Sequence, residues 1–184
     1  MNVWQKKDKT NGLTFPYYVH ELLDDFENWN MSGWKVFEYG GGDSTLWWRD
    51  KCRECISIDN DKVWARNRNL IFIEDKEQFV KYPLRIVEET NEKFDCIIID
   101  QGRGPEGESW RDECTEIAVE CLKDSGVLII DNWLQDSIPG MGRNDWKRSQ
   151  KILSEFKGRV YTQHNHKDWK TAVWYVNKKG TDED

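Results

Sequence analysis

VFEYGGGDST, the stretch at residues 36–45, decides the fold. A short apolar strand runs into a glycine turn that opens a helix, and a second strand at residues 55–59 ends on Asp59. A strand, a glycine turn, a helix and a strand that ends on a carboxylate are the layout of a nucleoside-binding βαβ unit. The sequence therefore predicts a site for an adenosine-containing cofactor.

Each part of this unit has a chemical reason. The turn brings the backbone close to the ligand, where a Cβ would clash or forbid a positive φ. Asp59 suits a ribose, because an ionised carboxylate accepts hydrogen bonds from two vicinal hydroxyls. The alternative is that Asp59 caps the helix that starts near Asp61. We expect Asp43 or Ser44 to cap the helix that begins near Thr45.

The residues missing from the turn narrow the type of cofactor. A dinucleotide fingerprint would place a third glycine at position 45, where close helix packing lets a pyrophosphate sit on the helix N-terminus. Thr45 stands there instead, and Glu38 lies two residues before the first glycine. Both features disfavour a dinucleotide.

On these residues the chain resembles the class I S-adenosylmethionine-dependent methyltransferases. Glu38, Gly40 and Gly42 match their first motif, and the turn looks like that of small bacterial and viral enzymes with the pattern E-x-G-x-G-x-S-T-L. The segment FDCIIID at residues 94–100 is similar to the family's fourth strand, and GVLIIDN at residues 126–132 to its fifth.

The resemblance implies an α/β fold, a Rossmann-like three-layer sandwich with a mostly parallel seven-stranded sheet and an antiparallel last strand. Near-continuous apolar strands also favour a parallel sheet that is covered on both faces. We expect a single methyltransferase-like domain at 1–184, with an N-terminal helical cap at 1–34, a cofactor-binding core at 35–178 and an acidic tail at 179–184.

The hydrophobic pattern places the individual elements. Residues 76–93 are expected to be irregular, because Pro83 interrupts any long helix. The predicted strands are 35–39, 55–59, 70–73, 96–100, 127–131, 159–163 and 172–176, and the predicted helices are 17–29, 44–50, 61–67, 110–123 and 144–156.

Composition excludes several classes of partner. The 184 residues carry a formal net charge of −7 without a lysine or arginine stripe, whereas proteins that bind nucleic acid are normally basic. The base-methylating signatures of the family are also absent, so we expect a small-molecule or protein-surface acceptor and no nucleic acid. No signal peptide or membrane span is evident, which favours a cytoplasmic protein.

The cysteines favour a reducing compartment. Their number, five, is odd, and most lie inside predicted strands and helices rather than in a disulfide framework. Cys52 and Cys55 have zinc-type spacing, but the other cysteines supply no second close pair. We therefore expect no zinc site.

The resemblance implies S-adenosylmethionine as the cofactor and S-adenosylhomocysteine as its product. It implies that the amino-acid end of the cofactor lies along the glycine turn, the ribose on Asp59 and the adenine near the end of the third strand. The predicted cofactor-binding residues are Glu38, Gly40, Gly41, Gly42, Ser44, Thr45, Asp59, Asn60, Glu74, Asp75 and Asp100.

Asp100 and Arg103 are the predicted catalytic residues. Asp100 ends the fourth strand, where it would orient or deprotonate the methyl acceptor. Arg103 lies in a glycine-rich turn after that strand, where it either presents a guanidinium to an acidic substrate or is a solvated loop arginine.

Metal dependence is left as an alternative. Asp100, Asp131 and Asn132 match the residues that hold Mg²⁺ in the catechol-type O-methyltransferases, and oxygen ligands suit that ion. The lysine that follows the Asp100 position in those enzymes is missing, and metal-free relatives also end their fifth strand with Asp-Asn. We expect no metal ligand among these residues, so Mg²⁺ is possible but not favoured.

Two other functions remain open. An NAD-linked oxidoreductase on a similar fold is disfavoured by Glu38 and by the missing third glycine. A non-catalytic S-adenosylmethionine-binding module is disfavoured by the intact set of Glu38, Gly40, Gly42 and Asp59.

Overall fold

The computed structural model describes residues 16, 18–101, 104, 107–134, 146–164 and 166–176, the last range without the side chains of 166–168. Six helices and seven strands lie along these residues, and they alternate except that the last two strands follow each other directly. The helices are α1 His20–Phe26, α2 Asp43–Lys51, α3 Lys62–Arg68, α4 Lys76–Thr90, α5 Arg111–Cys121 and α6 Lys147–Leu153, and the strands are β1 Lys35–Tyr39, β2 Glu54–Asp59, β3 Ile71–Phe72, β4 Phe94–Ile99, β5 Leu122–Asp131, β6 Lys157–Gln163 and β7 His166–Val176.

All seven strands form one sheet in the order β3-β2-β1-β4-β5-β7-β6. The five strands from β3 to β5 run parallel, and β7 pairs antiparallel with both β5 and β6. The predicted Rossmann-like fold with an antiparallel last strand is confirmed. Because the chain leaves β1 towards β3 and then returns to β4, the topology reverses between β1 and β4, and such a switch point opens a crevice at the carboxyl ends of the strands.

Helices cover both faces of the sheet, because alternate residues of a strand face opposite sides. On one face Phe37 and Tyr39 of β1 pack against α4, α5 and α6. On the other face Val36 packs against α1 and α2. None of the described helices combines the length and apolar composition that crossing a bilayer requires.

The prediction that Pro83 prevents a helix at residues 76–93 is wrong. Helix α4 runs unbroken from Lys76 to Thr90 with Pro83 inside it. Proline removes one backbone hydrogen bond and costs a helix roughly 3 kcal/mol. Burial of Phe79, Val80 and Pro83 offsets this loss, and the Tyr39 hydroxyl donates to the Val80 carbonyl oxygen at 2.6 Å. Tertiary contacts therefore outweigh the local cost of proline.

Several element boundaries also differ from the sequence prediction. Helix α5 ends at Cys121, and β5 begins at Leu122 rather than at residue 127, because Leu122 pairs with Phe94 of β4. Helix α1 is shorter than predicted and β7 is longer. Hydrogen bonding to a neighbouring strand sets the limits of β5 and β7, and it leaves no signal in the local sequence.

Gly40 allows β1 and β4 to end side by side. Its φ is +80°, and a Cβ added there would lie 2.5 Å from both the Cα and the N of Gln101. The backbone that approaches Gly40 is therefore the protein's own, whereas the sequence prediction attributes the need for glycine to the ligand. A larger side chain at position 40 would disrupt the fold before it blocked a cofactor.

We predict that Gly40→Ala lowers the free energy of unfolding by at least about 2 kcal/mol, through the left-handed φ and the contact with the Gln101 backbone. Gly33→Ala is the matched control, because a Cβ on Gly33 meets no atom within 4 Å. Urea denaturation of both variants measures the difference. Equal stabilities would show that the backbone at position 40 relaxes freely.

Candidate functional site

The glycine turn is held by β2. The N–H groups of Gly40 and Gly41 both donate to the carbonyl oxygen of Ile58, at 2.9 and 3.0 Å. Gly42 is the N-cap of α2, and its N–H donates to the Thr45 hydroxyl at 3.0 Å. The prediction that Asp43 or Ser44 caps this helix is therefore wrong, since the cap is a glycine and the bonded side chain is that of Thr45.

Glu38 is the centre of the turn. Its carboxylate is fully buried and accepts hydrogen bonds from the hydroxyls of Ser44 and Thr45, each at 2.5 Å, and of Ser57 at 2.7 Å. Burial raises the pKa of Glu38, and the three hydroxyls act in the opposite direction. Through these hydrogen bonds, Glu38 of β1 connects to α2 and β2. Both of its oxygens already accept hydrogen bonds, so its role is to hold the shape of the turn.

Asp59 ends β2 beside this turn. One of its oxygens accepts a hydrogen bond from the Asp61 N–H at 2.7 Å. The cap of α3 is Asp61, which accepts from the N–H groups of Val63 and Trp64 at 2.8 and 2.9 Å. Burial raises the pKa of Asp59 to about 6. Asp59 is thus a buried carboxylate without the capping role that was its structural alternative.

Trp64 forms a wall next to the turn. Its indole N–H donates to the Gly41 carbonyl oxygen at 2.6 Å, and a Cβ on Gly42 would lie 3.3 Å from its ring. The Arg68 guanidinium stacks 3.2 Å from the ring centroid and pairs with Asp43 at 3.1 Å. The tryptophan is 41% exposed, so it borders the site on its open side.

Asp100 and Arg111 face each other at the end of β4. The Arg111 Nη2 lies 3.7 Å from the Asp100 Oδ1, and the Asp100 side chain is 28% exposed. Partial burial and the Asp131 carboxylate raise the pKa of Asp100 well above its usual range, while Arg111 lowers it. A carboxylate whose pKa is raised is a stronger base than an ordinary carboxylate.

Arg111 also joins the ends of two strands. It is almost completely buried, its Nε donates to the Gln101 carbonyl oxygen at 2.8 Å, and its Nη1 donates to the carbonyl oxygen of Asp131. One guanidinium therefore connects the ends of β4 and β5 and neutralises part of the nearby negative charge. Removing it would leave buried acceptors and a carboxylate without a partner.

The Asp131 carboxylate is committed to β7. It accepts a hydrogen bond from the Thr171 hydroxyl at 2.5 Å, and burial raises its pKa to about 6. Of the residues that match the catechol-type metal pattern, Asp131 is thus bonded to a side chain and Asp100 faces a guanidinium. Within the described ranges, no three His, Cys, Asp or Glu side chains are grouped to hold a metal ion, and this includes Cys52 and Cys55.

The other predicted site residues are Asn60, Glu74, Asp75 and Arg103. Asp75 caps α4 by accepting from the Gln78 N–H at 2.8 Å, and Glu74 is exposed beside it. Asn60 is half-buried next to Asp59. Arg103 lies outside the described residues. Direct contact of these residues with a cofactor or an acceptor stays a prediction.

Sequence reasoning missed Arg111, although a signal was present. The buried residues Cys114, Ala118 and Cys121 follow helical spacing, and Arg111 lies three residues before the first of them on the same stripe. A charged residue on an otherwise apolar helix stripe indicates a buried ion pair. Tyr18 had no such signal, because its burial between Trp48 and Phe26 depends on tertiary packing.

Comparison with known proteins shows the fold. No protein-family model matches the chain, and no curated protein sequence does either. The O-methyltransferase TomG from Streptomyces achromogenes, involved in tomaymycin synthesis and crystallised with S-adenosylmethionine, is 14% identical with a TM-score of 0.63, over 95% of this chain and 92% of its own.

Two further solved structures share the fold. The methyltransferase MycE of the mycinamycin pathway, crystallised with Mg, S-adenosylhomocysteine and mycinamycin VI, is 15% identical with a TM-score of 0.56 over 88% of this chain. The chain spans 50% of MycE's length. An rRNA methylase from Streptococcus thermophilus is 14% identical with a TM-score of 0.52, over 85% of this chain and 95% of its own.

We predict that Asp59 makes the protein less stable as the pH rises. Its folded pKa of about 6 exceeds its usual value of 3.8, so the folded state binds its proton more tightly than the unfolded state does. The stability contributed by this group is present below pH 4 and is lost as the pH rises to about 6. Asp59→Asn should therefore be more stable than the wild type at pH 7, by roughly 1 to 3 kcal/mol.

Urea denaturation between pH 4 and pH 7 at constant ionic strength tests this expectation. Asp61→Asn is the control, because asparagine caps helices as well as aspartate does. A pH profile of Asp59→Asn that is parallel to that of the wild type would contradict the assignment.

Proposed function

We propose that the chain is an S-adenosylmethionine-dependent methyltransferase. The observation that carries this proposal is the meeting of Asp59, the glycine turn and Asp100 at the carboxyl ends of β2, β1 and β4. These ends flank the switch point of the sheet, where open α/β sheets bind their ligands. The names of TomG and MycE, both crystallised with this cofactor or its product, support the proposal.

The residues present fit the cofactor. The Asp59 carboxylate has about four lone-pair positions, and the Asp61 N–H that it accepts leaves acceptor capacity for a ribose diol. The turn beside it leaves no room for side chains, because a Cβ on Gly41 would lie 2.9 Å from the Ser57 Cβ. We infer that the ribose binds Asp59 and that the amino-acid end of the cofactor follows the turn above Glu38.

The protein's own task is alignment and proton control. When bound, the cofactor supplies an electrophilic methyl group on a sulfonium. The Asp100 Oδ atoms would orient a protonated acceptor atom and take its proton as the methyl group arrives, and the raised pKa makes this carboxylate a stronger base. Arg111 keeps the Asp100 side chain in place. Arg103 remains a second candidate for contact with an acidic acceptor.

The acceptor is a small molecule or a group on a protein surface. The net charge of −7 and the carboxylates Asp59, Asp100 and Asp131 at the site oppose binding of a polyanion such as RNA. The similarity to an rRNA methylase makes RNA methylation an outcome to check in any acceptor screen. We further infer one methyltransferase-like domain over residues 1–184 and a cytoplasmic location.

We predict that Asp59→Ala weakens binding of S-adenosylhomocysteine at least about tenfold. The substitution removes two charge-assisted hydrogen bonds to the ribose, each of about 1.5 to 3 kcal/mol. Isothermal titration calorimetry measures the change. Asp61→Ala is the matched control, because it removes the α3 cap and about 1 kcal/mol of stability without touching the ribose. Wild-type affinity in Asp59→Ala would overturn the ribose assignment.

We predict that methyl transfer does not depend on a divalent metal. The Arg111 guanidinium beside Asp100 repels a cation, and the Asp131 carboxylate is bonded to Thr171. A methyl-transfer assay with and without EDTA should give the same rate. Loss of activity that magnesium alone restores would show that Asp100, Asp131 and Asn132 bind the ion after all.

A further inference from the structure

Two buried polar side chains near Asp100 have no hydrogen-bond partner among the described residues. The side-chain oxygen and nitrogen of Gln101 are both buried without a partner, and so is the indole N–H of Trp146. Gln101 is 0% exposed and Trp146 is 3% exposed. Leaving a buried donor or acceptor unpaired is costly, and native proteins rarely do so without a functional reason.

Other indole and amide side chains of the protein have hydrogen-bond partners. The indole N–H of Trp110 donates to Glu108 at 2.6 Å, and that of Trp64 donates to a backbone carbonyl oxygen. Gln163 is 4% exposed, and its side-chain oxygen accepts from the His20 N–H at 3.1 Å. Within the described ranges, Gln101 and Trp146 are the side chains whose buried polar atoms lack a hydrogen-bond partner.

The fold does not need the polar atoms of these two side chains. The backbone of Gln101 is fixed by its contact with Gly40 and by the hydrogen bond from Arg111 to its carbonyl oxygen. The Trp146 ring packs against Trp133 at 4.8 Å between centroids, which uses only its apolar surface. A hydrocarbon side chain at position 101 and a phenyl ring at position 146 would preserve these contacts.

Arg111 places both side chains beside the proposed reaction centre. Its guanidinium lies 5.8 Å from the Trp146 ring centroid, bonds to the Gln101 backbone and faces Asp100 at 3.7 Å. The Arg111 guanidinium is paired with Asp100 and with two backbone carbonyl oxygens. The groups near it that lack a partner are both neutral, the Gln101 amide and the Trp146 indole N–H.

We propose that Gln101 and Trp146 recognise the methyl acceptor through a neutral, planar group that carries a hydrogen-bond acceptor next to a donor, as in a carboxamide or a lactam. The Gln101 amide pairs with both atoms of such a group, and the Trp146 N–H donates to its oxygen. This inference rests on the methyltransferase proposal for its reaction, but the unpaired state of the two side chains is tested independently.

The first test measures stability without any ligand. Gln101→Met should keep or raise the Tm, because it removes unpaired polar atoms at similar volume. Gln163→Met, its matched control, should lower the Tm by at least about 2 °C, because it leaves the His20 N–H unpaired. Trp146→Phe should likewise cost less than Trp110→Phe, since both lose the same ring volume and only Trp110 loses a hydrogen bond.

The second test uses benzamide as the probe, with the protein saturated with S-adenosylhomocysteine. The indole N–H resonance that disappears from the ¹⁵N spectrum in Trp146→Phe identifies Trp146. Benzamide should shift this resonance in the wild type and not in Gln101→Met. Toluene, which has the ring without the amide, and benzoate, which is anionic, should not shift it.

Three results would overturn the inference. The first is a Tm loss in Gln101→Met as large as that in Gln163→Met, which would show that internal water already pairs the Gln101 amide. The second is an equal response of Trp146 to benzamide and toluene, and the third is no response to benzamide up to its solubility limit. Failure of S-adenosylhomocysteine to raise the wild-type Tm would instead refute the proposed function, and the ligand-free Tm comparison would still decide whether Gln101 is unpaired.

Discussion

The buried carboxylate of Glu38 is the interaction on which the site depends. An ionised group that leaves water costs several kcal/mol unless hydrogen bonds replace its hydration. Ser44, Thr45 and Ser57 provide three such bonds from two different elements. These hydrogen bonds hold the turn between β1 and α2 in the arrangement in which the Glu38 carboxylate has its three donors. In that arrangement the turn lies beside Asp59.

A second buried ion organises the opposite side of the crevice. Arg111 connects the ends of β4 and β5, as Glu38 connects β1, α2 and β2. Asp59, Asp100 and Asp131 lie at the ends of β2, β4 and β5 around these two centres, and burial raises the pKa of all three. A cationic sulfonium bound among them would favour their ionised forms, so cofactor binding and proton release are expected to be coupled.

The same features make the site costly to the fold. Raised carboxyl pKa values mean that ionisation of these groups opposes folding near neutral pH, and the unpaired amide of Gln101 adds to this cost. Natural proteins tolerate such local conflicts mainly where function requires them. Their concentration at the carboxyl ends of β2, β4 and β5 points to a binding site there.

Much of the fold was readable from the sequence because it rests on short-range patterns. The apolar runs of β1, β2, β4 and β5, the glycine turn and the terminal Asp59 are each defined by a few consecutive residues, and each has a local physical meaning. Boundaries failed where pairing with a distant strand decided them, as at Leu122. The prediction at Pro83 was wrong because burial of α4 against the sheet outweighed the local cost of proline in a helix.

The sequence by itself determined the βαβ unit, the sheet class and the presence of carboxylates at the strand ends, because these depend on residue type and spacing. Only the tertiary structure decided which groups meet. It assigned the α3 cap to Asp61 and so freed Asp59 from that role, it placed Arg111 against Asp100, and it left Gln101 buried without a partner. Burial and hydrogen-bond satisfaction are properties of a residue's surroundings, and residues far apart in the chain create them.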